Sequence, residues 1–378
     1  MKKILLTTVA LLTVASMQAF GSYGVSDWIT FLTDGNRFEA KLDQLGFTLG
    51  NDTIKGTFGF HNDGRGSFGD MLIRDTGDYY NFRPTISMGI GYTSSLIGIG
   101  VGYNATIGNR WDRYNNKTEP KKVEAVVHTP VLVLNALDNA FRMAIPIQVL
   151  QLTDKLDTFS GSLTAVSLNA QFRYYSGLEM LPQIRLYLKY GNYSYNLKSG
   201  DTTDKGKIAE SFGFDLRFYF GSMVEEVALQ PIVKLAYNGA LGKYHSQRNV
   251  TALGVLDDAA SSMTTYTSTY GGTATWGQNA WDLQLMTGLG LTANSDIVSL
   301  YLEPELGLQI VQAGHISEKV KEVYGLGWNV YAEIYITPIK NLEWYFEAEI
   351  GNALKTTQSA NSLVFNGTTG VTWYLPAL

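Results

Sequence analysis

Residues 211–220, SFGFDLRFYF, alternate strictly between two kinds of side chain. Apolar residues occupy the even positions, while Asp215 and Arg217 lie among the odd ones. Because successive side chains of a β-strand point to opposite faces, this period of two predicts a strand with one apolar and one charged face. In a soluble sandwich the apolar face is the core. In a membrane barrel it faces lipid, and the charged face lines a wet lumen.

The overall composition excludes several classes of protein. The chain has 378 residues, of which 17% are charged and 45% are hydrophobic, so it is not a disordered chain. Its formal net charge of −5 lacks the basic character that a nucleic-acid partner requires. Cysteine is absent, which excludes disulfides, thiolate metal sites, a cysteine nucleophile and a lipoprotein anchor.

The N-terminus, MKKILLTTVALLTVASMQAFG, resembles an export signal. Lys2 and Lys3 precede a short apolar stretch, and Ala19-Phe20-Gly21 offers small residues for cleavage. We therefore expect a signal peptide over residues 1–21 and a single domain over residues 22–378. The alternative is a buried N-terminal helix. No later segment reaches the ~18 apolar residues that a membrane helix needs, so membrane insertion requires a barrel.

Alternating segments follow one another along the whole chain. They include residues 54–60, 86–92, 97–103, 141–149, 166–174, 184–190, 211–220, 227–237, 281–291, 298–310, 328–336, 342–350 and 365–375. Many exceed the ~5–6 residues of a soluble strand and approach the ~9–11 that a tilted spanning strand needs. An irregular N-terminal pair, a strand over residues 24–33 and a returning one over 36–48, brings the count to about 16, with 14 as the alternative.

The connections and the aromatic residues also favour an all-β transmembrane antiparallel β-barrel over a secreted soluble protein. Short turns at Thr93–Ser95, Asp138–Asn139, Ala293–Asp296 and Lys340–Asn341 alternate with long polar loops at 62–83, 105–122, 198–208, 239–279 and 313–326. In membrane barrels the short turns are periplasmic and the long loops are external. Aromatic residues on the apolar faces lie near segment ends, as in interfacial girdles: Tyr92, Tyr103, Tyr174, Tyr190, Phe220, Tyr237, Trp281, Trp328 and Trp373.

Three prolines conflict with this pattern because proline removes a ladder hydrogen bond. Pro146, Pro231 and Pro304 all fall inside predicted strands. We expect them to mark bulges, barrel rims or strands that are shorter than drawn.

Charged residues of the inner faces segregate along the chain. The central segments contribute Arg142, Arg173, Arg185, Lys189, Arg217 and Lys234, and the C-terminal segments contribute Glu303, Glu305, Glu333, Glu343, Glu347 and Glu349. Closed into a barrel, they form a basic wall and an acidic wall. The functional interpretation is a water-filled pore that filters solutes by charge. The alternative is that these groups pair and stiffen a barrel with no path through it.

Glycine is patterned on the inner face as well. Gly89, Gly91, Gly98, Gly100 and Gly102 recur at period two in neighbouring segments. A smooth wall of this kind could receive a loop that folds inward, and the Ser/Thr/Gly-rich segment 239–279 is the candidate. Equally, the glycines could serve barrel curvature while that loop stays outside.

The sequence offers little for catalysis, so we expect no catalytic, cofactor or metal site. The histidines His61, His128, His245 and His315 are dispersed, and Asp257-Asp258 with His245 is only a weak hint of a protease. The stretch HNDGRGSFGD, residues 61–70, lacks calcium-loop spacing.

The beginning, MKKILLTTVALLTVASMQAFGSYG, and the end, NGTTGVTWYL, resemble the variable surface proteins of intestinal spirochaetes. The resemblance implies an abundant, strain-variable outer-membrane protein with antigenic external loops, and no site residue is carried over. The chain ends in Leu378, whereas outer-membrane barrels commonly end in an aromatic residue, which here could be Trp373 or Tyr374.

Two functions fit the sequence. The first is a porin-like diffusion pore for small hydrophilic solutes in the outer membrane, with membrane lipid as its surroundings. The second is a surface antigen or adhesin whose barrel is only an anchor and whose loops meet the host surface or antibodies. The first requires an open lumen, and the second does not.

Overall fold

The computed structural model describes residues 28–41, 44–62, 84–107, 124–156, 159–199, 201–224, 227–241, 247–259, 279–312, 321–352 and 363–376. The predicted signal peptide, residues 1–21, lies outside these ranges. So do most of the long loops predicted at 62–83, 105–122 and 313–326.

One antiparallel sheet contains every strand of the described chain. The strands are β1 (Arg37–Lys41), β2 (Gln44–Gly50), β3 (Ile54–Asn62), β4 (Pro84–Thr93), β5 (Ile97–Ile107), β6 (Glu124–Ala136), β7 (Phe141–Leu156), β8 (Phe159–Tyr175), β9 (Gln183–Ser199), β10 (Thr202–Tyr219), β11 (Ser222–Val224), β12 (Val227–Ala240), β13 (Trp281–Asn294), β14 (Val298–Gln312), β15 (Val323–Ile339), β16 (Leu342–Gly351) and β17 (Val364–Tyr374). Within the described ranges, the helix α1 (Ala252–Ala259) precedes β13.

The sheet closes into a barrel because β1 pairs with β17 as well as with β2. β10 and β11 lie end to end along β12 in one register, with Tyr219 opposite Ile232 and Ser222 opposite Leu229. They therefore fill one position, and the barrel has 16 strands, as predicted.

Strand β10 settles which face is inside. Phe212 is 39% exposed on the outer surface, whereas Asp215 and Arg217 are 3% and 8% exposed and point into the barrel. The apolar outer face continues around the barrel with residues such as Met88, Val101 and Leu285. The soluble alternative is thus wrong, because a soluble protein would bury this apolar face.

The predicted short turns are confirmed. Between β6 and β7, Leu137, Asp138 and Asn139 all adopt positive φ, and the Ala140 amide donates to the Leu137 carbonyl at 3.0 Å. Asn341, with φ of 69°, turns the chain between β15 and β16. Asparagine and aspartate tolerate this left-handed conformation better than other non-glycine residues.

The loop predicted at 198–208 is wrong, because β9 and β10 extend through almost all of it. Their register runs from Thr202 opposite Ser199 down to Tyr219 opposite Gln183. Polar pairs such as Lys207 with Glu210, 2.7 Å apart, lie on the part of the sheet that extends towards the long loops. A polar sequence was mistaken for a loop where it forms a strand.

The predicted strand over residues 24–33 is also wrong. Residues 28–33 form turns, and the amides of Thr33 and Asp34 both donate to the Thr30 carbonyl, at 2.8 and 2.9 Å. The predicted returning strand over 36–48 is instead the pair β1 and β2. The predicted number of strands is still correct, because the pair β1 and β2 takes the place of the predicted pair.

The three prolines lie within strands that keep their register. Pro231 separates β10 from β11, since it has no N–H to donate to Phe220, although its carbonyl accepts the Phe220 amide at 2.8 Å. Pro146 and Pro304 each coincide with a short gap in one ladder, towards β8 and β13 respectively. Each proline thus interrupts one ladder without forming a bulge.

Candidate functional site: the barrel lumen

Five basic residues of the inner wall lie opposite one another on successive strands. The register pairs Arg142 of β7 with Arg173 of β8, Arg173 with Arg185 of β9, Arg185 with Arg217 of β10, and Arg217 with Lys234 of β12. Cβ atoms of opposite residues lie about 4.5–5.5 Å apart, so these groups form a continuous line of positive charge. We call this set the basic row.

Neighbouring side chains hold the basic row in place. Arg217 makes two hydrogen bonds to the Asp215 carboxylate, at 2.9 and 2.8 Å, and Arg185 donates from Nη2 to Gln183 at 2.6 Å. Tyrosine rings stack on three guanidinium groups, with ring centroids 4.8, 4.3 and 5.2 Å from Cζ of Arg142, Arg185 and Arg217. Stacking on a ring face stabilises a cation and fixes the plane of its guanidinium.

The predicted acidic wall lies on β14, β15 and β16. Glu333 is directly opposite Glu347, and Glu333 accepts a hydrogen bond from the Tyr331 hydroxyl. Glu349 accepts from Asn329 at 2.8 Å, and Glu343 accepts from Tyr374 at 3.0 Å. Tyrosine and asparagine, rather than lysine or arginine, donate the hydrogen bonds to these three carboxyl groups.

Glu303 of the acidic wall lies close to the basic row. This carboxylate accepts a hydrogen bond from Tyr301 and interacts electrostatically with Arg217 and Arg185. Lys189, the remaining predicted basic residue, lies next to the row and donates to Asn238 at 3.5 Å. All twelve predicted residues therefore lie on the inner face, in two separate groups that meet near Glu303.

Residues 28–33, the N-terminal insert, pack on the glycine-rich wall. Trp28, Ile29, Phe31 and Leu32 are buried with Val131, Val133 and Ala144. A Cβ at Gly102 would lie 2.3 Å from the Trp28 ring, and one at Gly91 would lie 2.2 Å from Leu32. The glycines thus receive an inward segment, but it is the N-terminal insert rather than the predicted segment 239–279.

Polar contacts fix the N-terminal insert at the end of the barrel that carries the short turns. Arg142, the first member of the basic row, donates to the Thr33 hydroxyl at 3.0 Å. Lys55 donates to the Asp34 carbonyl, and Arg37 pairs with the Asp34 carboxylate at 2.9 Å. The insert is therefore tied to β1, β3 and β7.

Residues 247–259, the loop insert, also lie inside the barrel, at the end that carries the long loops. Val250 and Val255 are buried against Leu150, Leu163 and Tyr193. The amides of Val250 and Ala252 donate to the hydroxyls of Ser211 and Ser167, at 2.7 and 2.9 Å. Of the two alternatives for segment 239–279, the described part thus folds inward, onto β6–β10.

An ion pair connects the loop insert to β13. Arg248 Nε lies 3.4 Å from Asp282, whose other carboxylate oxygen accepts from Asn238 at 2.9 Å. Burial lowers the pKa of Arg248, and the Asp282 charge opposes that shift. Both charges are shielded from water, which strengthens their attraction.

A cavity of about 70 Å³ lies between the N-terminal insert and the acidic wall. It is lined by Thr30, Asp34, Arg37, Glu39, Lys41, Tyr335, Glu343, Tyr345, Glu347, Thr372 and Tyr374. Within it, Glu39 pairs with Arg37 at 3.4 Å and with Lys41 at 3.3 Å. Polar walls and this volume admit several water molecules.

The β1 residues that line this cavity are not among the predicted site residues. The signal is present in RFEAK, residues 37–41, where Arg37, Glu39 and Lys41 recur at period two. Interpreting residues 36–48 as one strand hides this pattern, because the structure divides them into β1 and β2.

The described residues contain no cluster of three metal-ligating side chains. Within the same ranges, no helix combines the length and apolar character needed to cross a bilayer.

The sequence model of the Serpulina hyodysenteriae variable surface protein family matches residues 2–374. The chain belongs to this family. The match spans both lumenal inserts and every strand, so the family resemblance of the two ends extends along the whole barrel. As a member of the family, the chain is an outer-membrane β-barrel surface protein.

Several solved structures are similar to this family member at low identity. The translocator domain of autotransporter NalP from Neisseria meningitidis is 12% identical, with 98% of this chain and 95% of that chain covered and a TM-score of 0.34. The transport unit of the autotransporter AIDA-I from Escherichia coli is 10% identical, with 97% of both chains covered and a TM-score of 0.36. OmpT of Vibrio cholerae is 10% identical, with 91% and 99% covered and a TM-score of 0.31. No curated protein matches the sequence.

Proposed function

We propose that this family member is a porin-like pore for small hydrophilic solutes, exposed at the cell surface and without enzymatic activity. One observation carries the proposal: both inserts make their apolar contacts with the same arc of the barrel wall, strands β4–β10. The N-terminal insert packs on β4–β7, and the loop insert packs on β6–β10. The cavity beside the N-terminal insert lies on the other arc, which bears the carboxylates.

A solute that moves through the lumen along this arc would pass between groups of opposite charge. The acidic wall lies on β14–β16, and the basic row lies on β7–β12. Charges on the walls of a narrow aqueous passage filter ions by sign, because the surrounding protein screens them poorly. We expect passage of small polar solutes and exclusion of large or apolar ones.

Conductance of the refolded protein in a planar bilayer tests the proposal. We expect stable steps from the wild type and larger steps from a W28A/F31A variant, because the N-terminal insert would lose its packing on the glycine-rich wall. The matched control is W373A, which removes an indole from the outer surface, where Trp373 is 57% exposed. Silence from all three proteins, each shown to be folded and inserted, would overturn the pore.

Ion selectivity gives an independent readout. Glu347 lines the cavity, so E347Q removes a negative charge from the path. The reversal potential should shift in the direction that indicates lower selectivity for cations over anions. The control, E179Q, removes the same charge from the turn between β8 and β9, outside the lumen. Equal reversal potentials in the two variants would show that the ion path avoids the acidic wall.

The second candidate is a surface antigen whose barrel is only an anchor. The two inserts favour it, since each fills part of the lumen with buried apolar side chains. It predicts folded, silent protein whose segment 260–278 binds antibodies on intact cells. Antibody binding together with conductance would instead support a pore with antigenic loops.

A further inference from the structure

The basic row is electrostatically costly. Like charges directly opposite on neighbouring strands destabilise a sheet, and here four such pairs follow one another. Arg173, Arg185 and Arg217 are 2%, 1% and 8% exposed, so water does little to solvate them. Asp215 offsets one charge through its two hydrogen bonds with Arg217. A further negative charge nearby would stabilise the other cations of the row.

Arg185 has donor groups that are not used. Its Nη2 donates to Gln183, but Nε and Nη1 are buried and meet no hydrogen-bond acceptor among the described residues. The Tyr219 ring, 4.3 Å from Cζ, covers the face of the guanidinium and leaves its edge as the only donor surface. Such an edge matches an oxyanion, which accepts two parallel N–H bonds.

Two lysines are among the less buried basic groups in this part of the inner wall. Lys189 and Lys234 are half-buried on the inner face, beside Arg217, with which Lys189 interacts electrostatically. Because both ammonium groups are less buried than the guanidinium groups of Arg185 and Arg217, an anion that enters the lumen would reach them first. Glu303 competes for Arg185 and Arg217, so a divalent anion would displace it more effectively than chloride.

We propose that the basic row binds the phosphate group of inorganic phosphate or of a small phosphorylated solute, with Arg185 as the central donor. The inference extends the proposed pore, because it names a class of solute that the lumen would retain. The site itself requires only that the lumen admits the anion.

Calorimetric titration of the refolded protein in detergent with inorganic phosphate tests the site, with chloride adjusted to keep the ionic strength constant. We expect saturable binding to the wild type. R185Q should weaken binding about tenfold or more, since a charge-assisted bond is lost. K234Q, at the end of the row, should weaken it as well. K205Q removes an equal charge from the exposed outer part of β10 and should bind like the wild type.

The outcomes separate the site from the pore. Absence of phosphate binding by the wild type, or equal affinity in K234Q and K205Q, would overturn the site even if R185Q did not fold. Equal heats with phosphate and with chloride alone would also overturn it. Because this measurement needs no bilayer, phosphate binding by a protein that does not conduct would retain the site and refute the pore. Conductance without phosphate binding would do the reverse.

Discussion

Arg173 of β8 and Arg185 of β9 face each other directly across the strand pair, and both are almost completely buried. Two guanidinium groups in this position repel each other and are poorly solvated. Stacking on Tyr219 and the Glu303 carboxylate reduce this cost at Arg185, and Asp215 does the same at the neighbouring Arg217. The stability of this barrel therefore depends on the few acids that adjoin the basic row.

Replacing Asp215 with asparagine should destabilise the barrel markedly. The change leaves the buried Arg217 without its carboxylate, which typically costs about 3–5 kcal/mol. The free energy of unfolding in urea, measured in detergent, gives the comparison. D204N is the control, because Asp204 lies on the same strand but is exposed. Equal losses in the two variants would show that the pair with Arg217 contributes little.

Replacing Gly102 with alanine should displace the N-terminal insert. The new Cβ would lie 2.3 Å from the Trp28 ring, so the ring must move away from the wall. We expect faster hydrogen exchange at the Thr33 and Asp34 amides, which close the turns of the insert. G56A is the control, since a Cβ there has its nearest neighbour at 3.8 Å. Unchanged exchange in G102A would mean that the insert does not depend on the glycine-rich wall.

The strands and their faces were predictable because alternation is a local property. Phe212 outside and Asp215 inside follow from period two once the barrel is recognised. The N-terminal insert was not predictable in this way. Asp34-Gly35 is a typical hairpin-turn dipeptide and so favours a strand before it, although Trp28, Ile29 and Leu32 do not alternate. Their burial depends on glycines more than 50 residues away, which no local pattern shows.

The lumenal contacts were harder still to predict. Parity places Arg173, Arg185 and Arg217 on one face, but only the register brings them into one row. A shift of two residues on any strand would keep the parity and break the row. The sequence left open whether any segment would pack on the glycine-rich wall, and it did not indicate the N-terminal insert, whose contacts there are long-range.

The serines that hold the loop insert should control its local opening. S167A/S211A removes the acceptors of the Ala252 and Val250 amides, each worth about 1–3 kcal/mol when left buried and unpaired. Exchange at these two amides should accelerate about tenfold or more. S162A, on the outward side of β8, is the matched control. Equal protection in both variants would show that apolar packing alone retains the insert.

Replacing Pro231 with valine should join β10 and β11. The Pro231 carbonyl already accepts the Phe220 amide, and in an antiparallel pair the N–H of the same residue points to the same neighbour. A valine amide would therefore donate to the Phe220 carbonyl and add about 1 kcal/mol to the free energy of unfolding. Slow exchange of that amide is the direct observation. If the amide at position 231 exchanges as fast as an amide in an open loop, the prediction that β10 and β11 join is wrong.

The seam between β1 and β17 has a consequence for how the chain reaches its native state. Its five pairs join Arg37–Lys41 to Gly370–Tyr374, and Asn36 bonds to Pro376 across 340 positions of sequence. Contacts of such long range form late, because so much chain entropy is lost when they close. Residues up to Tyr374 must therefore be synthesised before the cylinder can be sealed. The residues that pack on the glycine-rich wall directly precede the first strand of this seam, so the last step of assembly also sets how wide the finished lumen is.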